Sequence, residues 1–180
     1  MKSFVKAISA AILGMSILGA TAVRAQAPAP EAPKKNWTAP ATKIFAQQLS
    51  DETMAKHPEL LSVTFHGVPP GLDKVYTMFA GSFPERIGNP DDPDDIDVIL
   101  KGITILDPRW HRTKDTTKKF VVLMPLRDAK ADNIGLIVYA FKNPADSGKA
   151  EKEYLAESTA LRDALQKQIP DYKSLFSPAK

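Results

Sequence analysis

The chain has 180 residues, enough for one ordinary domain, and its 43% hydrophobic and 25% charged residues are typical of a globular protein. It contains no cysteine, which excludes a disulfide scaffold, a thiolate metal site and a cysteine nucleophile. The first 25 positions hold three of its 24 basic residues and none of its 21 acidic ones. The remainder is therefore neutral, and we expect no nucleic-acid partner.

Residues 1–25 have the organisation of a secretory signal peptide. Two lysines precede an uncharged stretch at residues 7–23, and small residues allow cleavage after Ala25, before Gln26, or after Ala27, before Pro28. We prefer the first frame, because proline is a poor residue directly after the cleaved bond. A retained membrane anchor is the alternative, but the uncharged stretch is near the lower length limit for spanning a bilayer. We predict cleavage, a periplasmic or secreted bacterial location, and no stable membrane insertion of the mature chain.

A linker and one domain follow the signal peptide. Residues 26–36 are rich in proline and alanine, which indicates an extended linker, and residues 37–180 form the predicted domain. Its predicted elements are, in chain order, a helix from Pro40 to His57, strands at 61–68 and 74–80, a short helix within 89–102, strands at 103–106, 120–126 and 134–141, and a helix at 150–168.

Hydrophobic patterning predicts which strands lie at the centre of the sheet and which side of the last helix faces the core. The runs at 120–126 and 134–141 are almost continuously apolar, which is typical of strands at the centre of a sheet. The seven residues between them are too few for a crossover and favour an antiparallel hairpin. In the last helix, the residues predicted to face inward are Tyr154, Leu161 and Leu165.

An acidic run precedes the short central helix. Asp92 suits the N-cap, Pro93 the first helical position and Gly102 the end of the helix. The predicted buried stripe consists of Ile96, Ile99 and Leu100. A calcium site is the alternative interpretation, but the run lacks the regular spacing and distal glutamate of a calcium loop. Capping and the helix dipole explain the same residues.

The order of four features resembles the Cache family of extracytoplasmic PAS-like sensor domains. They are a helix running into HPELL at 57–61, a strand pair (TFHGVPPG and KVYTMFAGS) followed by Arg86-Ile87-Gly88, a hairpin with Pro125, Leu126, Asp128 and Gly135, and a closing amphipathic helix. The resemblance is to a single, solitary Cache unit, and it covers about the last 140 residues.

The resemblance implies an α+β fold. Its expected parts are a PAS/Cache-like five-stranded antiparallel sheet, a long N-terminal helix, a short inserted helix and a C-terminal helix. It also implies a ligand pocket between the sheet and a covering helix. The usual glycine of the hairpin turn is absent, as is the aromatic and arginine set of the amino-acid-binding members, so the expected ligand chemistry differs from theirs.

Two candidate ligand-binding residues lie in the first half of the domain. By strand parity His66 shares a face with Thr64, opposite Phe65. It is either a hydrogen-bonded core histidine or a residue of the pocket. Arg86 either pins a loop or binds a ligand carboxylate through its planar guanidinium.

Three more candidates lie in the second half. Trp110 either fills the core or stacks on a planar ligand. By the resemblance Asp128 borders the ligand site, although a turn-stabilising carboxylate is the alternative. Tyr139 either fills the core or places its hydroxyl at the rim of the pocket. We find no motif for a nucleophile, a nucleotide or paired metal-binding histidines, and we predict no catalytic residue, metal site or cofactor.

The function predicted from these observations is a non-enzymatic, exported sensor-type module. It would capture a small polar or anionic organic ligand and signal through a separate partner, either a membrane receptor or a second copy. The alternative is a structural protein that self-associates through its PAS-like fold and fills its own pocket. The two differ in whether a polar-lined cavity exists or an apolar patch is exposed on the N-terminal helix. A hydrolase of unrecognised type is a third hypothesis.

Overall fold

The computed structural model describes residues 33–108, 118–143 and 148–180; the predicted signal peptide and Trp110 lie outside them. The helices are α1 (Phe45–Lys56), α2 (Pro93–Lys101) and α3 (Glu151–Gln166). The strands are β1 (Leu60–Gly67), β2 (Thr77–Gly81), β3 (Ile105–Pro108), β4 (Lys119–Arg127) and β5 (Asn133–Lys142). Single 3-10 turns lie at Pro84–Arg86 and Lys173–Phe176. In this part of the chain, no helix has the length and apolar character needed to cross a membrane.

The five strands form one antiparallel sheet in the order β2-β1-β5-β4-β3. This confirms the predicted α+β class and its five-stranded sheet. β4 and β5 form the predicted hairpin, paired from Lys119 opposite Lys142 to Arg127 opposite Asn133. Both strands are buried along most of their length, as their continuous apolar runs indicated.

Alternation along the strands gives the sheet two different faces. The first face carries the main core, to which α1 and α3 contribute Leu49, Tyr154 and Leu161. Val63 and Phe65 of β1 belong to this core, as strand parity indicated. The second face carries a smaller cluster made by α2 and the sheet, consisting of Val98, Val121, Leu123, Leu136 and Ala140.

The start of the first helix was predicted wrongly. Helix α1 begins at Phe45 rather than at Pro40 and has 12 residues. The segment before it pairs with the end of the chain: Ile44 forms a β-bridge with Pro178, and the Phe45 N–H donates to the Ser177 carbonyl over 2.8 Å. Since these pairings hold the backbone extended at Ile44, the helix cannot begin earlier.

Two strand boundaries also differ from the prediction. Strand β2 begins at Thr77 instead of Lys74, because Lys74 has a φ of +58° and cannot continue an extended strand. Strand β3 begins at Ile105 instead of Ile103. The turn between β1 and β2 lies at Pro69-Pro70-Gly71, as these residue types predict. The Leu72 N–H donates to the Pro69 carbonyl, and Gly71 has a φ of +84°.

The ends of α2 were predicted correctly and its buried side in part, since Ile99 packs against the smaller cluster. Asp92 is the N-cap, and Gly102 ends the helix in the left-handed conformation. Val98 is the fully buried residue of this helix, whereas Leu100 is 64% exposed. At about 100° per residue, Leu100 lies about 200° around the helix from Val98 and therefore faces solvent.

Gly88 is predicted to be irreplaceable for steric reasons. It has a φ of +88°, and a Cβ at this position would overlap the carbonyl oxygen of Trp37. Gly71 has a similar φ of +84° but open space around it. We expect Gly71→Ala to lower the free energy of unfolding by about 1 kcal/mol, through backbone strain alone. Gly88→Ala should lower it by about 3 kcal/mol or more.

Urea unfolding of the two variants beside the unmodified protein measures this difference. Because the two glycines have nearly the same positive φ, Gly71→Ala corrects for the strain that an alanine has at such a φ. Equal losses in the two variants would show that the approach of Trp37 to Gly88 is not a packing constraint.

Candidate functional site

A cavity of about 460 Å³ lies on the sheet face that carries the smaller cluster. Strands β1, β4 and β5 supply its apolar and hydroxyl-bearing floor, and the 3-10 turn and the start of α2 supply charged groups. The lining residues that can bind a polar ligand are Ser62, Thr64, His66, Arg86, Asp92, Asp95 and Lys119. A second depression, between α1 and α3, has only about 130 Å³ and is small for an organic ligand.

Two cationic side chains line this cavity. Arg86 is exposed at the end of the 3-10 turn, with its guanidinium carbon 5.5 Å from the centroid of the Phe83 ring. Lys119 begins β4 and lies on the same face as Val121 because side chains alternate along the strand. Among the described residues, neither cation forms an ion pair, so both can bind an anion.

Hydrogen bonds fix the turn that carries Arg86. The Arg86 N–H donates to the Phe83 carbonyl over 2.9 Å, which closes the turn. Two residues later the Gly88 N–H donates to the Met78 carbonyl of β2 over 2.8 Å. The backbone position of Arg86 therefore depends on the edge of the sheet rather than on a free loop.

His66 lies in a chain of three side chains. Its Nδ1 is 2.7 Å from Asp91 Oδ1, and its Nε2 is 2.8 Å from Thr64 Oγ1. Because an ionised carboxylate only accepts, the imidazole donates to Asp91 from Nδ1. In the neutral ring Nε2 is then an acceptor, and the Thr64 hydroxyl donates to it. Strand parity places Thr64 and His66 side by side, and the chain between β2 and α2 supplies Asp91.

Two carboxylates surround His66. Asp95 Oδ2 lies 4.0 Å from His66 Nδ1 and accepts the Asp92 N–H over 3.2 Å. Burial raises the pKa of the Asp95 carboxyl above its usual value, and the neighbouring His66 partly opposes this. The Asp91 side chain is fully buried, and its Oδ2 has no hydrogen-bond partner within the described part of the chain. Ligand atoms of His66, Asp91 and Asp95 lie within 4.8 Å of one another.

The order of carboxylate, imidazole and hydroxyl is also that of a hydrolase with a hydroxyl nucleophile. Such a reaction needs N–H donors for the developing oxyanion. Thr64 lies on β1, which pairs with β2 on one edge and β5 on the other, so the sheet already uses the N–H groups of this strand. The N–H groups of this strand are therefore not free to act as such donors.

The structure brings His66 and Arg86 to one cavity and places two other candidates elsewhere. Asp128 lies in the β4–β5 turn, where its Oδ1 accepts the N–H groups of Lys130 and Asp132 at 2.9 and 3.1 Å. It thus fills the turn-stabilising role that was its alternative. Tyr139 is buried in the main core, on the opposite face of the sheet from the cavity, because it alternates with Val138. Trp110 lies outside the described residues.

Lys119 was missed at the sequence level, although continuing the strand alternation back from Leu123 and Val121 places it on the cavity face. Asp91 and Asp95 were recognised only as members of the acidic run at the start of the short helix, with a calcium site as the alternative interpretation. Asp95 does accept the Asp92 N–H at that helix start, and it also lines the cavity. Asp91 lies 25 positions after His66, and no local pattern predicts that they are in contact.

Comparisons with known proteins give a partial likeness. No family model matches the chain, and no curated protein sequence matches it. The sensor domain of Escherichia coli DcuS is 17% identical over 65% of this chain and 71% of its own, with a TM-score of 0.37. The GAF domain of an Acinetobacter phosphoenolpyruvate-protein phosphotransferase is 12% identical over 68% and 80%, with a TM-score of 0.44.

A third similar structure is an enzyme, the type II free methionine-R-sulfoxide reductase from Thermoplasma acidophilum. It is 15% identical over 72% of this chain and 87% of its own, with a TM-score of 0.43. At such scores the likeness describes the fold in outline and carries no information about ligand or activity. The class of the protein follows from its own topology: it is an α+β domain with helices on both faces of a five-stranded antiparallel sheet of order β2-β1-β5-β4-β3.

Tyr139→Phe is predicted to flatten the alkaline end of the stability profile. Burial raises the pKa of the Tyr139 hydroxyl far above its usual value near 10. In the unfolded chain this tyrosine loses its proton near pH 10, while the folded protein retains it. Above that pH the free energy of unfolding therefore falls with increasing pH, by up to about 1.4 kcal/mol per pH unit for one tyrosine. The phenylalanine variant lacks this contribution.

Urea unfolding of both proteins at pH 8, 10, 10.5 and 11 measures the slope. Tyr172, whose hydroxyl pKa is also raised by burial, still contributes in the variant, so we expect a reduced slope rather than none. At pH 8 the variant should be at least as stable, because no described residue pairs with the Tyr139 hydroxyl. Identical slopes would contradict the prediction.

Proposed function

We propose that this protein is an exported sensory domain of the Cache type that binds a small organic ligand carrying at least one anionic group. The observation that carries the proposal is the cavity of about 460 Å³, which is lined by Arg86 and Lys119. Both cations have no ion-pair partner among the described residues, although acidic residues are common nearby. A ligand carboxylate or phosphate would supply the missing partner.

The rest of the lining suits a small, partly polar molecule. The volume lies within the few hundred Å³ usual for ligand sites. Val121, Leu123 and Val138 form an apolar floor, which would contact the carbon skeleton of a ligand. Ser62 and Thr64 add hydroxyl groups on the same face, which can donate to or accept from a polar substituent.

A self-associating structural protein is less well supported. That function would need the pocket to be filled and an apolar patch to be exposed on α1. Among the described residues, the exposed large apolar side chains are Leu72, Leu100, Ile103 and Leu155, and none of these belongs to α1. The open cavity and the absence of such a patch on α1 both favour ligand binding.

Signalling would require a separate partner, such as a membrane receptor. Ligand binding can change that partnership only through a difference in affinity between the free and bound conformations of the domain. We propose no catalytic step, because the paired edges of β1 leave its N–H groups unavailable for an oxyanion.

A thermal-shift screen against small carboxylates, phosphates, amines and amino acids tests ligand binding. A ligand at about a hundred times its dissociation constant should add about 2.7 kcal/mol to the free energy of unfolding, which is a clear rise in melting temperature. We expect Arg86→Ala to weaken the binding of an anionic hit by about 10- to 100-fold, as the loss of a charged hydrogen bond does. Lys119→Ala should have an effect in the same direction.

Lys167→Ala is the matched control. Lys167 is an exposed cation that follows α3, on the far side of the sheet from the cavity, so its removal changes the net charge without touching the site. If Lys167→Ala weakens anion binding as much as Arg86→Ala does, the loss comes from the change in net charge and not from a contact in the cavity. If no compound shifts the melting temperature, and that temperature depends on protein concentration, the self-associating alternative is correct.

Export is tested separately by cell fractionation. We expect the chain, expressed in a Gram-negative bacterium with a C-terminal tag, to appear in the periplasm with Gln26 as its first residue. Edman sequencing or intact mass identifies this end. Replacing Leu18 with lysine should interrupt the apolar segment and retain the uncleaved protein in the cytoplasm. A protein that stays in the membrane with its leader would instead support the anchor.

A further inference from the structure

We propose that His66, Asp91 and Asp95 form a binding site for one divalent transition-metal ion at the edge of the cavity. The site goes beyond the proposed function, because it needs no organic ligand. It consists of one imidazole nitrogen and two carboxylate oxygens, which come from β1, from the segment before α2 and from the first turn of α2.

The distances fit a single ion. Bonds of about 2.0–2.2 Å place two ligand atoms on one metal at most about 4.4 Å apart. The three ligand atoms here lie within 4.8 Å of one another, so small rotations of the two carboxylates close the gap. His66 Nδ1 is already 2.7 Å from Asp91 and 4.0 Å from Asp95.

The second observation is an unsatisfied oxygen. The Asp91 side chain has no exposed surface, and its Oδ2 lacks a hydrogen-bond partner among the described residues. A buried carboxylate oxygen without a partner costs free energy, and native proteins satisfy nearly all such atoms. The hydroxyl of the nearby Tyr172 does not satisfy it, since that hydroxyl donates to the Val68 carbonyl over 2.8 Å. A cation is the missing partner.

The neighbouring groups can support a metal-bound histidine. Metal binding at His66 Nδ1 requires the other neutral tautomer of the imidazole, in which the proton has moved through solvent from Nδ1 to Nε2. The ring then carries its proton at Nε2 and donates to Thr64 Oγ1, which lies 2.8 Å away. A hydrogen bond from the second imidazole nitrogen usually orients a metal-binding histidine in this way. The Asp95 carboxylate is likewise oriented by a hydrogen bond, because its Oδ2 accepts the Asp92 N–H.

The donor set indicates the class of ion. Imidazole nitrogen favours zinc and its neighbours in the first transition row, whereas calcium and magnesium take oxygen ligands alone. With three protein ligands, an ion such as Zn²⁺ keeps at least one open position. His66 and Asp95 line the cavity, so an oxygen of a small anion could occupy that position.

Isothermal titration of the chelator-treated protein with Zn²⁺, without any organic compound, tests the site. We expect one ion per chain with a dissociation constant of about 1 μM or lower. Asp91→Asn and Asp95→Asn should each weaken binding by at least about 100-fold, since each removes a direct ligand. Asp97→Asn is the matched control, because Asp97 is an exposed carboxylate of α2 that pairs with Lys101 at 2.8 Å. It should bind within about 3-fold of the unmodified protein.

Each outcome decides the proposal. Circular dichroism and urea unfolding in the presence of chelator show whether the variants fold; if Asp91→Asn does not, Asp95→Asn decides. Zn²⁺ binding that is lost in the ligand variants and kept in Asp97→Asn supports the site. Undetectable binding overturns it, as does binding that survives in both ligand variants, which would place the ion elsewhere, for example at His57 and Glu59. Tighter binding of Ca²⁺ than of Zn²⁺ overturns the assigned class of ion.

Failure of the metal-site proposal leaves the proposed anion binding at Arg86 and Lys119 untouched, because the titration contains no anionic ligand.

Discussion

The alternation of side chains along β1, β4 and β5 is the constraint on which the rest of this structure depends. It places the large aromatic and aliphatic residues on one face, where α1 and α3 cover them, and leaves smaller residues and hydroxyl groups on the other. The second face is covered by α2, whose nine residues extend only about 13 Å. Because so short a helix cannot cover the sheet, a cavity remains beside it.

Several charged groups at the cavity come from the connection between β2 and α2 and from the start of α2, whereas Lys119 comes from β4. Two hydrogen bonds hold this connection close to the sheet. The Gly88 N–H donates to the Met78 carbonyl, and the Asp91 carboxylate is bonded to the His66 imidazole. The connection presents Arg86 at one side of the cavity and the carboxylate of Asp91 at the other, beside Asp95 in the first turn of α2. Opposite charges therefore lie around one cavity, where an anionic ligand and a metal ion could be bound side by side.

Particular residues show how far sequence reasoning reached. His66 and Arg86 were identified from local patterns, namely strand parity and a turn, and both line the cavity. Tyr139 was placed in the same set but belongs to the opposite face, because an almost continuously apolar strand does not indicate which of its sides meets the larger core. In α2 the predicted buried stripe included Leu100, which is exposed, and left out Val98, which is fully buried.

The sequence by itself determined the elements, the antiparallel hairpin, the capped ends of α2 and the parity of β1, because each depends on residues that are close along the chain. Only the tertiary structure decided which sheet face carries the cavity and which carboxylate meets His66. Asp91 and His66 are 25 positions apart, and their contact depends on how the connection before α2 crosses the sheet. That path is set by packing of Val98 and by the close approach of Gly88 to Trp37, which are long-range contacts with no local signature.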